Sequence, residues 1–205
     1  MNLYKNISNR ILLTAALAGF AFFLALIFYF IPQISIQSNS TPPVANTAVP
    51  HKQKRTDFGL PVRLKIPKIN VDAEIDPMGT TPSGAMEIPS GPKNVGWYKS
   101  GPHPGDSGSA VIDGHYGRWK NGEGSVFDDL NNLEKGDILY VEDENGMATS
   151  FVVRESRKYD PNADASDVFE SSDGKSHLNL ITCEGTWNKD SKSYSQRLVV
   201  FADKK

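Results

Sequence analysis

A single cysteine, Cys183, stands in a chain of 205 residues. A lone thiol is either an inert buried side chain or a nucleophile, and a nucleophile needs a base or cation nearby to favour its thiolate. Cys183 closes the run Leu178-Asn179-Leu180-Ile181-Thr182 and precedes Glu184-Gly185. The apolar run reads as a strand, so the thiol lies at a strand end beside a turn, a rigid platform that suits attack. Four histidines compete to be its base. His51 lies in a polar tether. His177 is six residues earlier on the same strand, about 20 Å away in an extended chain. His103 sits in the loop GPHPG and is expected to be solvated. His115 follows the apolar strand Ala110–Asp113, and two strand ends of one small barrel can meet in space. It is the geometric candidate, with an ordinary imidazole at a turn as the alternative. Acyl transfer also needs a donor for a tetrahedral oxyanion. Arg197 opens the next strand, 14 residues after Cys183, and its guanidinium fork suits that task. Arg154 and Arg157 are rivals for it.

The elements that must position these groups are short and mostly extended. Val62, Leu64, Ile66, Ile69, Val71, Ala73 and Ile75 alternate with mostly polar residues around Pro67, giving one kinked strand or two short ones. Pro77 to Pro92 is turn-rich. Ser109–Asp113 is a strand that stops at Gly114-His115-Tyr116-Gly117. Ser125–Asp128 has a capping-box-like spacing, and Phe127, Leu130 and Leu133 would share one face of a short helix. Ile138–Glu142 and Ala148–Arg154 flank the hairpin signal Asn145-Gly146. Asp160–Ser176 reads as a long loop, of the length that often carries function. Glu184–Ser195 reads as a second loop and Arg197–Ala202 as the last strand. The sum is an all-β, closed or nearly closed sheet with one or two short helices.

Ahead of this domain, over residues 59–205, the composition changes twice. Ile11 to Ile31 is an uncharged run of 21 residues, long enough to cross a hydrocarbon core of about 30 Å as a helix. Lys5 and Arg10 precede it, and the next cation is Lys52. The positive-inside rule then leaves residues 1–10 in the cytoplasm and exports the rest. The run exceeds a signal-peptide core, and no A-x-A site closely follows it, which favours an uncleaved single-pass anchor over residues 11–31 in the plasma membrane. Residues 32–58 are rich in Gln, Ser, Asn, Thr and Pro and lack the apolar content to fold. A flexible tether of that kind spans about 25–30 Å. From Asp57 onward there are 17 basic and 24 acidic residues, a net of −7. An acidic domain is a poor nucleic-acid binder.

The set Gly114-His115, Leu180-Ile181-Thr182-Cys183 and Arg197-Leu198-Val199-Val200 resembles the sortases, membrane-anchored cysteine transpeptidases of mainly Gram-positive bacteria. Gly96-Trp97-Tyr98, Gly101-Pro102, Pro104-Gly105 and Ala110–His115 look most like the class F branch, with classes E and D as alternatives. The resemblance covers about Val62 to Ala202. It departs at Asn179, which stands where the family's T-L-x-T-C motif has its first Thr, a change that bears on substrate preference more than on chemistry. The resemblance implies an eight-stranded sortase-type barrel whose Cys183 attacks the Thr–Gly carbonyl of an LPXTG-like sorting signal. His115 would protonate the departing amine and deprotonate the incoming one. Arg197 would stabilise the oxyanion or orient the peptide. Thr182, Ile181 and Ala110 would line the peptide site. The acceptor would be an amine on a cell-wall precursor or a pilin lysine. No cofactor is implied. Some sortases are assisted by calcium, but Asp160, Asp164, Asp167, Glu170 and Asp173 lack EF-hand spacing, so solvated loop charge and no metal site are expected.

Two other readings have distinct signatures. A cysteine peptidase would resolve the same intermediate with water; a papain-like one is excluded by the Cys-after-His order and the missing C-G-S-C-W signature. A tethered, non-catalytic barrel that binds wall peptides would keep Cys183 buried and unreactive.

Overall fold

The computed structural model describes residues 58–119 and 121–205. The anchor expected over residues 11–31 and the tether before Phe58 lie outside the described residues. Among the described residues, no helix is long and apolar enough to cross a membrane.

Eight strands close into a barrel. In chain order they are β1 (Pro61–Ile66), β2 (Val71–Met78), β3 (Val95–Tyr98), β4 (Gly108–Gly114), β5 (Ile138–Asp143), β6 (Ala148–Tyr159), β7 (Ser176–Asn188) and β8 (Ser193–Lys204), with a short helix α1 (Ser166–Phe169) before β7. Around the barrel the order is β1-β2-β3-β4-β7-β8-β6-β5. The pairs β2–β3 and β4–β7 are parallel and the rest antiparallel. Closure leaves no free sheet edge.

The period-2 pattern sets which side chains fill the barrel. Leu64, Ile66, Ile112, Leu139, Phe151, Leu178, Leu180 and Val200 are fully buried in one cluster. A second, smaller cluster lies on the outer face, where Val111, Val199 and Phe201 pack under Val168 of α1. The first extended stretch is two strands, not one. Pro67 cannot donate to a ladder, so Pro67–Ile69 makes a single 3-10 turn that ends at Asn70 with φ 53.

Three expectations change. The helix foreseen after Ser125 is only a 3-10 turn at Leu130–Asn132. Asp128 instead uses both carboxylate oxygens on backbone N–H groups, accepting from Gly117 at 2.6 Å and from Ser125 at 2.9 Å. Phe127, Leu130 and Leu133 are still buried as a group. The loop foreseen over Glu184–Ser195 is mostly hairpin. Past an irregularity at Gly185, Trp187 pairs with Tyr194, their rings 5.1 Å apart, and only four residues turn between β7 and β8. Cross-strand aromatic pairs of this kind hold strands that look polar in sequence. His103 is not solvated. Its ring stands edge-on to Trp97 at 5.0 Å, and its Nδ1–H donates to the Phe58 carbonyl at 2.9 Å. The Trp97 Nε1–H donates to the Pro102 carbonyl. Much of the stretch that suggested class F therefore builds a brace between β3 and the start of the domain.

Candidate active site

Side chains alternate across β4, β7 and β8, and the outward set is where the chemistry lies. On β7, Leu178, Leu180 and Thr182 point into the barrel, while Ile181 and Cys183 face out. On β4, Ala110, Ile112 and Gly114 point in and Asp113 faces out. On β8, Leu198 and Val200 point in and Arg197 and Val199 face out. The register then fixes a row. Asp113 pairs with Ile181 across β4–β7, so His115, two residues on, follows β4 where Cys183 lies on β7. Cys183 pairs directly with Arg197 across β7–β8. Histidine, cysteine and arginine thus sit side by side on three neighbouring strands, His115 just past the end of β4 and Cys183 and Arg197 within β7 and β8, where the strand foreseen to stop at Cys183 runs on to Asn188. All three line one groove of about 530 Å³.

Thr182 and Gly114 lock this row from inside. Thr182 is 1% exposed, and its Oγ1–H donates to the Gly114 carbonyl at 2.7 Å. That bond ties the residue before Cys183 to the residue before His115. A Cβ on Gly114 would overlap the Phe127 ring, so only glycine lets β4 pass this close. The His115 ring is held in turn by the loop after β2. Its Nε2–H donates to the Pro89 carbonyl at 2.8 Å, which leaves Nδ1 as the free nitrogen of the neutral ring. Trp119 packs against it with centroids 4.9 Å apart.

Arg197 is anchored by the first residues of its own strand. Its guanidinium donates to the carbonyls of Gln196 at 3.1 Å and Tyr194 at 3.3 Å, and to Ser193 Oγ at 3.3 Å. It makes no ion pair among the described residues, so its charge is uncommitted. Burial holds the Cys183 thiol above the ordinary cysteine range, opposed by the Arg197 charge and reinforced by Asp113. Burial also lifts Asp113 to about 7, opposed by the Gly114 backbone N–H and by Arg197. Burial thus favours the protonated thiol, and attack requires that proton to leave.

A second groove, of about 440 Å³, continues along the outer face from Arg197 and Ile88, which line both. Its walls include Ile181 and Val199 from the sheet, Val168 and Phe169 from α1, and Met86 from the loop after β2. Ile181 is thus on the groove. Ala110 and Thr182 are not: both are 1% exposed and point into the barrel, where a bound peptide does not reach. The rival residues are engaged elsewhere. Arg154 pairs with Asp203 and Arg157 with Glu155 and Asp167. His177 is buried, its Nδ1 2.7 Å from Asp203 and its Nε2 3.0 Å from Asp173. Among the described residues, no group of three His, Cys, Asp or Glu side chains is arranged to hold a metal ion.

Sequence reasoning missed Pro89, Ile88, Met86, Trp119 and Tyr194, all contributed by loops or by the hairpin tip. Their one sequence signal was apolar and aromatic residues inside segments otherwise polar enough to be solvent-exposed.

A sortase domain model matches residues 64–205. Among solved structures, sortase C-1 from Actinomyces oris is 26% identical, with a TM-score of 0.56 over 70% of this chain and 73% of that one. The Group B Streptococcus Pilus Island 1 sortase C2 is 27% identical, with a TM-score of 0.54 over 70% and 73%. Sortase C from Clostridium perfringens, 22% identical, shares the fold with a TM-score of 0.53 over 72% and 71%. These three are class C enzymes, not members of the class F, E or D branches that the motifs suggested. No curated protein matches the chain.

Proposed function

The chain belongs to the sortase family, and from that premise we propose that it is a transpeptidase in which Cys183 cleaves an LPXTG-like sorting signal between Thr and Gly and passes the acyl group to an amine. The observation that carries this is the row of His115, Cys183 and Arg197 across three adjacent strands above a shared groove. The Cys183 sulfur attacks the Thr carbonyl as its proton leaves towards His115. Arg197 donates to the oxyanion of the tetrahedral intermediate. The C–N bond breaks, the Gly amine leaves with a proton from His115, and a thioester remains on Cys183. An incoming amine then attacks that thioester, loses a proton to His115 and releases the thiolate.

The second groove suits the apolar start of the sorting signal. Ile181, Val199, Val168, Phe169 and Met86 give it an apolar wall, with Ile88, 63% exposed, at the junction with the thiol. Asn179 holds the roof in place. Its Nδ2–H donates to the Val168 carbonyl at 2.6 Å, so the departure from the family motif bears on how α1 sits over this groove. The class C neighbours support assignment to that branch, and the acceptor is an amine on a cell-wall precursor or on a pilin lysine. The apolar run before the domain supports a single-pass anchor in the plasma membrane with the catalytic domain outside.

The test is a quenched LPXTG-type peptide with and without an added amine, comparing the protein with Cys183→Ala by mass spectrometry. A Cys183-dependent conjugate joined through Thr supports transpeptidation. Cys183-dependent hydrolysis that no amine diverts points to a peptidase. A folded protein whose thiol never reacts with a charged methanethiosulfonate returns the binding-barrel reading.

A further inference from the structure

The groove that holds Cys183 has a charge opposite to that of its domain. Arg118, Lys192 and Arg197 line it, and no carboxylate does, although the chain from Asp57 onward carries a net of −7. None of the three cations is in an ion pair among the described residues, whereas Arg63, Arg154 and Arg157 are each paired. Arg118 donates only to the Gly122 carbonyl at 3.2 Å. Lys192 stands on the turn between β7 and β8 with φ 49. Arg118 and Lys192 are exposed and line the groove beyond the cysteine with no carboxylate among its walls, so they are free to recognise an anion.

The remaining wall is aromatic. Tyr194 stands between Tyr116, 5.2 Å away, and Trp187, 5.1 Å away, and Trp187 is 46% exposed. This wall lies on the side of Cys183 away from α1, so it is free when the sorting peptide occupies the apolar groove.

We propose that this half of the groove is the acceptor site and that it selects an amine bearing a carboxylate on or near the amine-bearing carbon, with Arg118 and Lys192 holding the carboxylate. The inference rests on the transpeptidase reading of Cys183. A simple alkylamine enters as an ammonium ion and is repelled by three like charges. An amine with an adjacent carboxylate enters as a zwitterion whose anionic end is attracted, leaving the nitrogen to face the thioester. Nearby cations also favour the unprotonated amine, the form that attacks. The amine nitrogen forms the new amide bond to the acyl carbon, the carbon–sulfur bond breaks, and the amine proton passes to His115. A pilin lysine, whose side-chain amine has no neighbouring carboxylate, is the disfavoured acceptor here.

Three probes separate the possibilities: glycine, glycinamide, and Nα-acetyl-lysine amide. Glycinamide is the stringent control, because its amine is less basic and more of it is unprotonated near neutral pH. Binding to the full-length Cys183→Ala protein is followed by Trp fluorescence or NMR shifts, with Trp187 and Tyr194 as reporters. Glycine is expected to bind roughly tenfold more tightly than either other probe, from two partly exposed charge contacts. The preference should shrink at high salt and disappear in the double variant Arg118→Gln with Lys192→Gln. Lys192→Glu should turn it towards Nα-acetyl-lysine amide. In the protein with its cysteine, the same order should appear in the yield of conjugate from the thioacyl enzyme. Equal or tighter binding of glycinamide, or a glycine preference that survives the double variant, overturns the proposal. Failure of the sortase reading looks different: no Cys183-dependent cleavage, whatever the binding order on Cys183→Ala.

Discussion

Replacing Thr182 by valine tests whether the site is aligned from inside the barrel. The two side chains have nearly the same volume, so the change removes one interaction, the 2.7 Å bond from Oγ1 to the Gly114 carbonyl. Thr182 is 1% exposed, so no water replaces the lost donor. A net hydrogen bond contributes about 1 kcal/mol, and a buried acceptor stripped of its partner costs about 1–3 kcal/mol. For a domain near 150 residues each kcal/mol is about 3 °C, so the expected drop in Tm is about 3–9 °C. The effect on chemistry should be larger. Gly114 immediately precedes His115, and Thr182 immediately precedes Cys183. Loosening their link displaces both reacting groups, and a displacement of about 1 Å can cost 100-fold in rate. Thr182→Ser is the companion. It loses a methyl group, worth about 0.8 kcal/mol, but keeps the hydroxyl. The assay is thermal unfolding beside kcat for peptide cleavage. Serine should keep most of the kcat and valine should lose most of it. Valine as active as the native residue, or serine as damaging as valine, would refute the argument that the hydroxyl aligns the pair.

The other expectations concern the charges around the thiol. Arg197→Lys should lower kcat/KM about 100-fold, since an ammonium cannot reproduce the guanidinium fork at an oxyanion; unchanged kinetics would move the role to another donor. Arg197→Gln should push the midpoint of Cys183 alkylation with pH higher still, because it removes the one charge that favours the thiolate. Asp113, lifted to about 7 by burial, binds its proton more tightly folded than unfolded. Its contribution to stability is therefore full below about pH 4 and is lost as pH rises through about 7. Asp113→Asn should flatten that part of the stability profile, which chemical denaturation at several pH values reads directly. Asn179→Ala should raise KM for the sorting peptide about fivefold, the equivalent of one net hydrogen bond, by releasing α1 from the sheet.

What the sequence made legible follows from which interactions are local. The hydrophobic alternation in Leu178–Thr182 and Ala110–Gly114 is a local signal; it placed His115 just past a strand end, but it stopped the strand at Cys183, where β7 runs on to Asn188. It did not reveal the β4–β7 pairing, because a parallel register is set between segments nearly 70 residues apart. Arg197 was legible because an antiparallel hairpin brings strand partners back within 14 residues. The same hairpin hid its own length. Its outer part is polar by composition and is held by Trp187 against Tyr194, a contact that exists only once the strands pair. Ala110 and Thr182 show the limit of carrying a role over by motif. Both stand in motif segments, yet strand alternation turns them inward, so each keeps its place for packing or for alignment rather than for contact with substrate. The same alternation turns Asp113, Ile181 and Arg197 outward together. A single-residue slip of β7 against β4 would bury the thiol and expose Thr182. The Thr182–Gly114 bond and the close pass at Gly114 are what oppose that slip, so the residues that make the cysteine available are the ones no substrate touches.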